Sequence, residues 1–237
     1  MGSAALLIAL GYLVGSVPFG YLLVRLTKGQ DVRGCGSHNI GAINVVHIAG
    51  AGLGVLTLLL DAGKAFAVVA LTGALGAEDL VVAATAASAM VGHSYSVWFL
   101  LLEGKLSGGK SVASALGVLI ALGALGELAW WAALLPPALW IVLIVGPRLV
   151  IGHWWYMSVA TMTAAVSIPA SVWAARAQLP YVVLSLAIAV LLLIRHRDNI
   201  ARLRSGTEPT LAQRLLVHPS NANMGQQAAA GGGDREC

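Results

Sequence analysis

The sequence predicts an all-α integral membrane protein of about seven transmembrane helices, with the N-terminus outside and the C-terminus in the cytoplasm. Three observations carry this expectation. Hydrophobic residues make up 58% of the 237 positions and charged residues only 10%, against about 25% charged in a soluble domain. The apolar residues fall into blocks of the ~20 residues that a helix needs to cross the hydrocarbon core. Lysine and arginine gather on one side of those blocks.

The first block, 4–24, has no basic segment before it and is interrupted by Gly15-Ser16, so it reads as a span and not as a cleavable leader. The blocks 51–72, 80–102, 112–127, 129–146, 154–175 and 179–195 follow. The fourth is short, and Pro136-Pro137 should kink the fifth, so 112–146 admits other divisions. With the N-terminus outside, the inner side holds Arg25, Lys28, Arg33, Lys105, Lys110, Arg148, Arg195, Arg197, Arg202, Arg204, Arg214 and Arg235. That is twelve of the fourteen basic residues. The outer side holds Arg176 with Glu78, Asp79 and Glu127, and Lys64 lies inside a span. Residues 1–216 thus read as one membrane domain. Residues 217–237, rich in Asn, Gln, Ala and Gly, cannot bury a core and are expected to be disordered.

Residues 104–111, GKLSGGKS, spell a nucleotide-binding P-loop. That motif acts only between a strand and a helix of an α/β domain. Here it lies between two membrane spans, so no nucleotide is expected. Its physical content survives, since glycines free backbone N–H groups for an anion and a lysine adds charge. The connector at 29–50, GQDVRGCGSHNIGAINVVHIAG, is longer than the 2–8 residues usual between helices. Its Ser37, Asn39 and Asn44 supply hydroxyl and amide groups suited to phosphate or glycerol oxygens. Asp61 and Lys64 lie three apart on one face of the second span, and charges at such depth mark function or an internal pair. His93 sits in the third span. At the end of the last block, His196, Asn199 and Arg202 recur at helical spacing, on a face expected to point away from the membrane, with Glu208 beyond them.

These segments meet at one predicted face. They amount to a membrane-embedded site for one or two phosphorylated ligands, open to the cytoplasm and to lipid. No metal-ligand spacing occurs, the two cysteines included, and no histidine is followed by an aspartate five positions later. Nothing points to nucleic acid as a partner. From the residues alone, a transporter or channel using Asp61, Lys64 and His93 as a polar path is a competing reading.

Several motifs in fixed order resemble the bacterial acyl-phosphate:glycerol-3-phosphate acyltransferases. GSVPFGYLL at 15–23 looks like that family's first-span signature, and DVRGCGSHNIGAIN at 31–44 resembles its GSGNxGATN loop. DAGKA at 61–65 resembles its Asp-x-x-Lys-Gly, GHSYSVWF at 92–99 its Gly-His segment, and GGKSVAS at 108–114 its GGKGVAT. HRDNIARLRSGTE at 196–208 is similar to its closing HRxNIxRLxxGxE. The resemblance implies seven spans in a bacterial inner membrane, with the site facing the cytoplasm. It implies transfer of a fatty acyl group from acyl phosphate to the 1-hydroxyl of glycerol 3-phosphate, giving lysophosphatidic acid and phosphate, without metal, cofactor or acyl-CoA.

The implied chemistry is modest. Acyl phosphate is a mixed anhydride with a good leaving group, so the protein must mainly hold two phosphates close and neutralise them. The resemblance implies catalytic roles for Ser37, Lys110, His196 and Asn199. It implies substrate or phosphate contacts for Gly36, Asn39, Gly41, Asn44, His47, Gly108, Gly109, Arg148, Arg197 and Glu208, and a supporting part for Asp61, Lys64 and His93. The general base is unassigned, and a substrate phosphate is one acceptor for the proton. The chain departs from the pattern where His38 and Ser111 stand for glycines, Ile43 for threonine, His47 for a phosphate-binding arginine, and Ala65 for glycine. Leu149 and Ile151 depart from a tyrosine and a serine. A divergent relative that acylates another hydroxyl or amine, or a lipid-binding protein without activity, would also suit those changes.

Overall fold

The computed structural model describes residues 2–153 and 155–216, and the polar segment expected at 217–237 lies outside them. The described residues form helices α1 (Gly2–Gly15), α2 (Phe19–Lys28), α3 (Ala42–Ala49), α4 (Ala51–Ala74), α5 (Asp79–Ser94), α6 (Val97–Glu103), α7 (Val112–Ala124), α8 (Trp130–Ile151), α9 (Met157–Ala174), α10 (Leu179–Arg195), α11 (Arg197–Arg204) and α12 (Leu211–Leu216). A 3-10 turn spans Val32–Gly34. Among the described residues there is no sheet, only a single bridge between Ser96 and Ser107. GKLSGGKS therefore follows no strand.

The expected blocks reappear with breaks. The first is two helices, because Pro18 lacks the N–H that would continue α1 into α2. The third stops at Ser94, and Ser96 pairs its N–H with the Ser107 carbonyl (2.9 Å) before α6 begins. The fifth runs on to Ile151 through Pro136, Pro137 and Pro147. Residues 2–28 taken together, α4, α8 and α9 are long and apolar enough to cross a membrane, and α10 with α11 makes a fifth candidate bent by 55°. At 16 and 13 residues, α5 and α7 fall short of the ~20 a straight crossing needs.

Small residues set the packing. Lipid tails are as apolar as leucine, so helices in a bilayer gain by close approach of backbones. α1 packs along α5 and α4 along α7. A Cβ at Gly15 would lie 2.1 Å from the Ala89 carbonyl oxygen, and one at Gly117 would lie 2.0 Å from that of Ala62. The core gathers from α4, α5, α7, α8, α9 and α10 around Val69, Met90, Val118, Leu122, Ile168 and Ile188. Outside it, Leu59 of α4, Val142 of α8, and Val166 and Trp173 of α9 remain exposed, as lipid-facing side chains would be.

Gly117→Ala should lower the melting temperature in detergent, at a cost of about 1–3 kcal/mol for overpacking, because the obstructing atom is backbone. Gly63→Ala, in the same helix pair but with nothing near its Cβ, should leave melting unchanged or raise it.

Candidate active site

The 29–50 connector is a built loop. Its hub is Asn44, on the first turn of α3 and 4% exposed. The Asn44 amide nitrogen lies within hydrogen-bond distance of the carbonyls of Val32 (2.8 Å), Asn39 (2.9 Å) and Cys35 (3.0 Å), which share its two hydrogens, and its Oδ1 accepts from the Ser37 N–H (2.9 Å). The Asn39 Oδ1 accepts from the Gly41 N–H (2.9 Å). A side chain at Gly36, which has φ of +61°, would strike Asn44 Oδ1 at 2.4 Å. Asn44 is spent on loop shape, and the loop presents Ser37.

The glycines of GGKS serve contact. A Cβ at Gly108 would meet the His93 carbonyl oxygen at 2.4 Å, and one at Gly109 would meet His93 Nε2 at 2.0 Å. The Gly109 N–H donates to the His93 carbonyl (2.9 Å). The carbonyls of Gly108 and Gly109 accept from Arg195 Nη2 and Nε (2.9 and 3.0 Å). Arg195, not singled out from sequence, thus ties the loop to the end of α10. Ser111 takes the left-handed conformation (φ +59°), its hydroxyl donating to the Met90 carbonyl (2.8 Å) and lying 2.6 Å from that of Ser94. The loop is locked, and Lys110 projects from it.

Asp61, Lys64 and His93 form a buried cluster. The Lys64 ammonium reaches the Val17 carbonyl (2.6 Å), Asp61 Oδ1 (2.8 Å) and His93 Nδ1 (2.9 Å), so its three N–H groups have three acceptors. Full satisfaction is what a buried charge requires.

At the end of α10, the chain bends at His196. The His196 Nδ1 lies 2.7 Å from the Leu192 carbonyl. A carbonyl only accepts, so Nδ1 carries a proton, and in the neutral ring Nε2 is the acceptor. One turn on, Asn199 accepts from Lys110 Nζ through Oδ1 (2.5 Å) and donates to Glu208 Oε1 (2.8 Å). Glu208, 5% exposed, also accepts from Arg202 Nε (2.7 Å) and Arg214 Nη2 (3.0 Å). Burial works to raise the Glu208 carboxyl, but hydrogen bonds from Asn199 and Arg202 and the charge of Arg214 hold it below the usual carboxylate range. Burial, followed by the charges of Arg214 and Arg202, lowers the Lys110 ammonium to about 8.

A cavity of about 200 Å³ lies where these parts meet. Ser37, Asn39, Gly41, Asn44, Asp61, His93, Lys110, His196, Asn199 and Glu208 line it. The face of His196 and Asn199 expected to point away from the membrane points into this cavity. A second cavity of about 340 Å³ adjoins it through Ser37, Ile43, Asn44 and Arg214, and takes in Gly36, His47 and Arg202. Gly108, Gly109 and Lys64 sit behind the wall. Arg148 donates to the Gly152 carbonyl (2.8 Å) at the end of its own helix, and Arg197 is exposed beside Asp198; neither reaches the cavities. Sequence reading missed Arg214 as a site residue, and the wall formed by Trp140, Met157, Ser158 and Thr161 of α8 and α9. Trp140 Nε1 donates to Thr161 Oγ1 (3.0 Å), which is a contact between helices with no motif spacing to betray it.

The arrangement offers a cationic, hydrogen-bonding cavity with one apolar wall. Among the described residues no cluster could hold a metal ion. Such a cavity can bind an anion and orient a hydroxyl, with His196 Nε2 as a hydrogen-bond acceptor; burial and the charge of Lys110 lower that imidazole to about 4, so it is a weak base.

A family model described as glycerol-3-phosphate acyltransferase matches residues 5–206. The glycerol-3-phosphate acyltransferase of Synechococcus sp. (strain JA-3-3Ab) is 42% identical over 217 residues, 91% of this chain and 98% of its own. That of Mesorhizobium japonicum is 40% identical over 203 residues, 86% and 93% of the two chains. Among solved structures, PlsY (YgiH), an integral membrane glycerol 3-phosphate acyltransferase, superposes in its glycerol 3-phosphate form with a TM-score of 0.76 at 33% identity, covering 88% of this chain and 95% of that one. Its lysophosphatidic acid form gives 0.73 at 30% identity, covering 90% and 99%. By matched length and identity together, the chain belongs to the glycerol-3-phosphate acyltransferase family.

Proposed function

We propose that this chain transfers a fatty acyl group from acyl phosphate to the 1-hydroxyl of glycerol 3-phosphate, forming lysophosphatidic acid and releasing phosphate. One observation carries the reading beyond family membership: Lys110, His196, Asn199 and Glu208, from motifs almost ninety residues apart, converge with the Ser37 loop on one cavity. In the reaction, the acceptor hydroxyl oxygen bonds the acyl carbon, the bond from that carbon to the phosphate oxygen breaks, and phosphate leaves. Lys110 neutralises a phosphate, Asn199 holds Lys110 in place, and Ser37 offers its hydroxyl. A substrate phosphate takes the proton, since burial and the charge of Lys110 make His196 a weak base. Leu58, Val112, Trp140 and Met157 give the cavity an apolar side suited to the acyl chain. The saturated Asp61–Lys64–His93 cluster suits a structural support better than an ion path.

The same reading makes residues 1–216 one domain of seven crossings in a bacterial inner membrane, N-terminus outside, with the polar tail 217–237 and the site in the cytoplasm. The excess of basic residues on one side supports this orientation. So does the origin of the cavity wall, which draws on the connector after α2, the end of α5, the starts of α7 and α9 and the end of α10, which seven alternating crossings would bring to one face.

Purified protein in lipid should form lysophosphatidic acid from palmitoyl phosphate and labelled glycerol 3-phosphate, and none from palmitoyl-CoA. No product with acyl phosphate from a folded sample would overturn the reading. Lys110→Ala should abolish transfer while the protein stays folded by its melting curve. Because Lys110 is charged below about pH 8 and neutral above, kcat/KM, which reports the free enzyme, should fall as pH rises through 8. Lys110→Arg, charged throughout, should carry that fall to higher pH, and an unchanged profile would remove Lys110 from phosphate binding.

A further inference from the structure

Arg214 lies on α12, beyond residue 206 where the family match ends. Its helix is anchored. Leu211 is 7% exposed against Ile144 and Ala160, its N–H donates to the Trp155 carbonyl (3.2 Å), and Gln213 Oε1 accepts from the Thr210 N–H (2.7 Å). α12 also packs on α3, the helix that carries Asn44. This docking brings Arg214 to the wall common to both cavities, with its side chain 15% exposed.

The charges around that wall do not cancel. Lys110, Arg202 and Arg214 face Glu208 alone, since Asp61, the other carboxylate on the lining, is matched by Lys64. Three cations against one carboxylate leave a surplus of two, and a phosphomonoester carries about −1.5 to −2 at pH 7. Arg214 spends one terminal nitrogen on Glu208, and a guanidinium has five N–H donors. Besides burial, the charge of Arg214 lowers the Lys110 ammonium, so the two cations on the lining are near enough to repel. Glu208 is already held by Arg202 and Asn199, so holding Glu208 alone does not require Arg214.

We propose that Arg214 binds a substrate phosphate at the wall between the two cavities, so that α12 completes the site from outside the family-matched segment. The identity of the substrates rests on the acyltransferase reading; the phosphate chemistry does not. The test compares the unmodified protein with Arg214→Gln and Arg214→Lys in two ways. One is the rise in melting temperature on adding glycerol 3-phosphate or inorganic phosphate without donor. The other is KM for each substrate beside kcat.

Arg214→Gln should cancel most of the ligand-induced rise and raise one KM about tenfold or more, as loss of a charge-assisted contact does, with less change in kcat. Arg214→Lys should recover part of both. A raised KM for glycerol 3-phosphate assigns the contact to the acceptor, and a raised KM for acyl phosphate assigns it to the donor. A variant that melts lower without ligand but keeps both KM values and the full ligand-induced rise would overturn the proposal, leaving Arg214 a structural tie. If the unmodified protein transfers no acyl group, the functional reading falls, yet the melting comparison still decides Arg214. No rise with either anion in the unmodified protein would overturn the phosphate site itself.

Discussion

The site depends on one buried carboxylate. Glu208 is enclosed by protein, and an isolated carboxylate there would be costly. It is retained because Asn199, Arg202 and Arg214 all donate to it. In doing so it turns the Asn199 amide so that Oδ1 faces Lys110, and it holds two guanidinium groups that would otherwise repel. The cations are thus positioned before any substrate arrives. For a reaction whose leaving group is already good, pre-positioned charge is the main thing a protein can add.

The second constraint is steric. Lys110 reaches Asn199 because its loop lies flat against the end of α5, and that contact exists only because Gly108 and Gly109 lack side chains. The carbonyls of Gly108 and Gly109 and the Gly109 N–H are taken up by Arg195 and His93. What resembles a phosphate cradle is here a bracket for one lysine. Two departures from the family pattern follow the same logic. His38 and Ser111 stand where glycine is usual, and both take positive φ (+53° and +59°). Glycine suits those positions for backbone shape. The replacements are tolerated because His38 hydrogen-bonds the Arg33 carbonyl (2.9 Å) and Ser111 that of Met90 (2.8 Å). Ile151 and Leu149 lie exposed at the end of α8, away from the cavities. His47, by contrast, lines the second cavity beside Arg202 and Arg214, so that cavity keeps guanidinium groups without an arginine at position 47.

Much of this was legible in sequence, and the limits have physical causes. The all-helical class followed from composition, and block lengths located the helices to within a few residues. Breaks at Pro18 and Ser96 were harder, since apolar composition continues across them while the backbone does not. His196, Asn199 and Glu208 stood out because polar variety at the foot of an apolar helix has no use as a mere anchor, and Lys110 because it closes a glycine-rich stretch that spells an anion-binding loop. Asn44 stood out for the right chemistry, but a side chain that can bind phosphate can equally bind three carbonyls, and only geometry separates the two. Arg148 and Arg197 carry the charge expected of phosphate ligands, yet their helix positions turn them outward. Arg214 was counted only for its charge, because its place in the wall depends on how a short helix docks on α3, α8 and α9, which no local spacing encodes.

The central claim is that Glu208 acts on the chemistry through Asn199 and Lys110. A double-mutant cycle on kcat/KM for acyl transfer tests it most directly, using Asn199→Ala, Glu208→Gln and the pair. Each single change removes hydrogen bonds to charged groups and should slow transfer by roughly tenfold to a hundredfold, from about 1.5–3 kcal/mol per such bond. If the two residues act as one chain, the double variant should be no slower than the worse single variant. Additive losses would mean that Glu208 and Asn199 work independently, and the account of a site set by one buried carboxylate would be wrong.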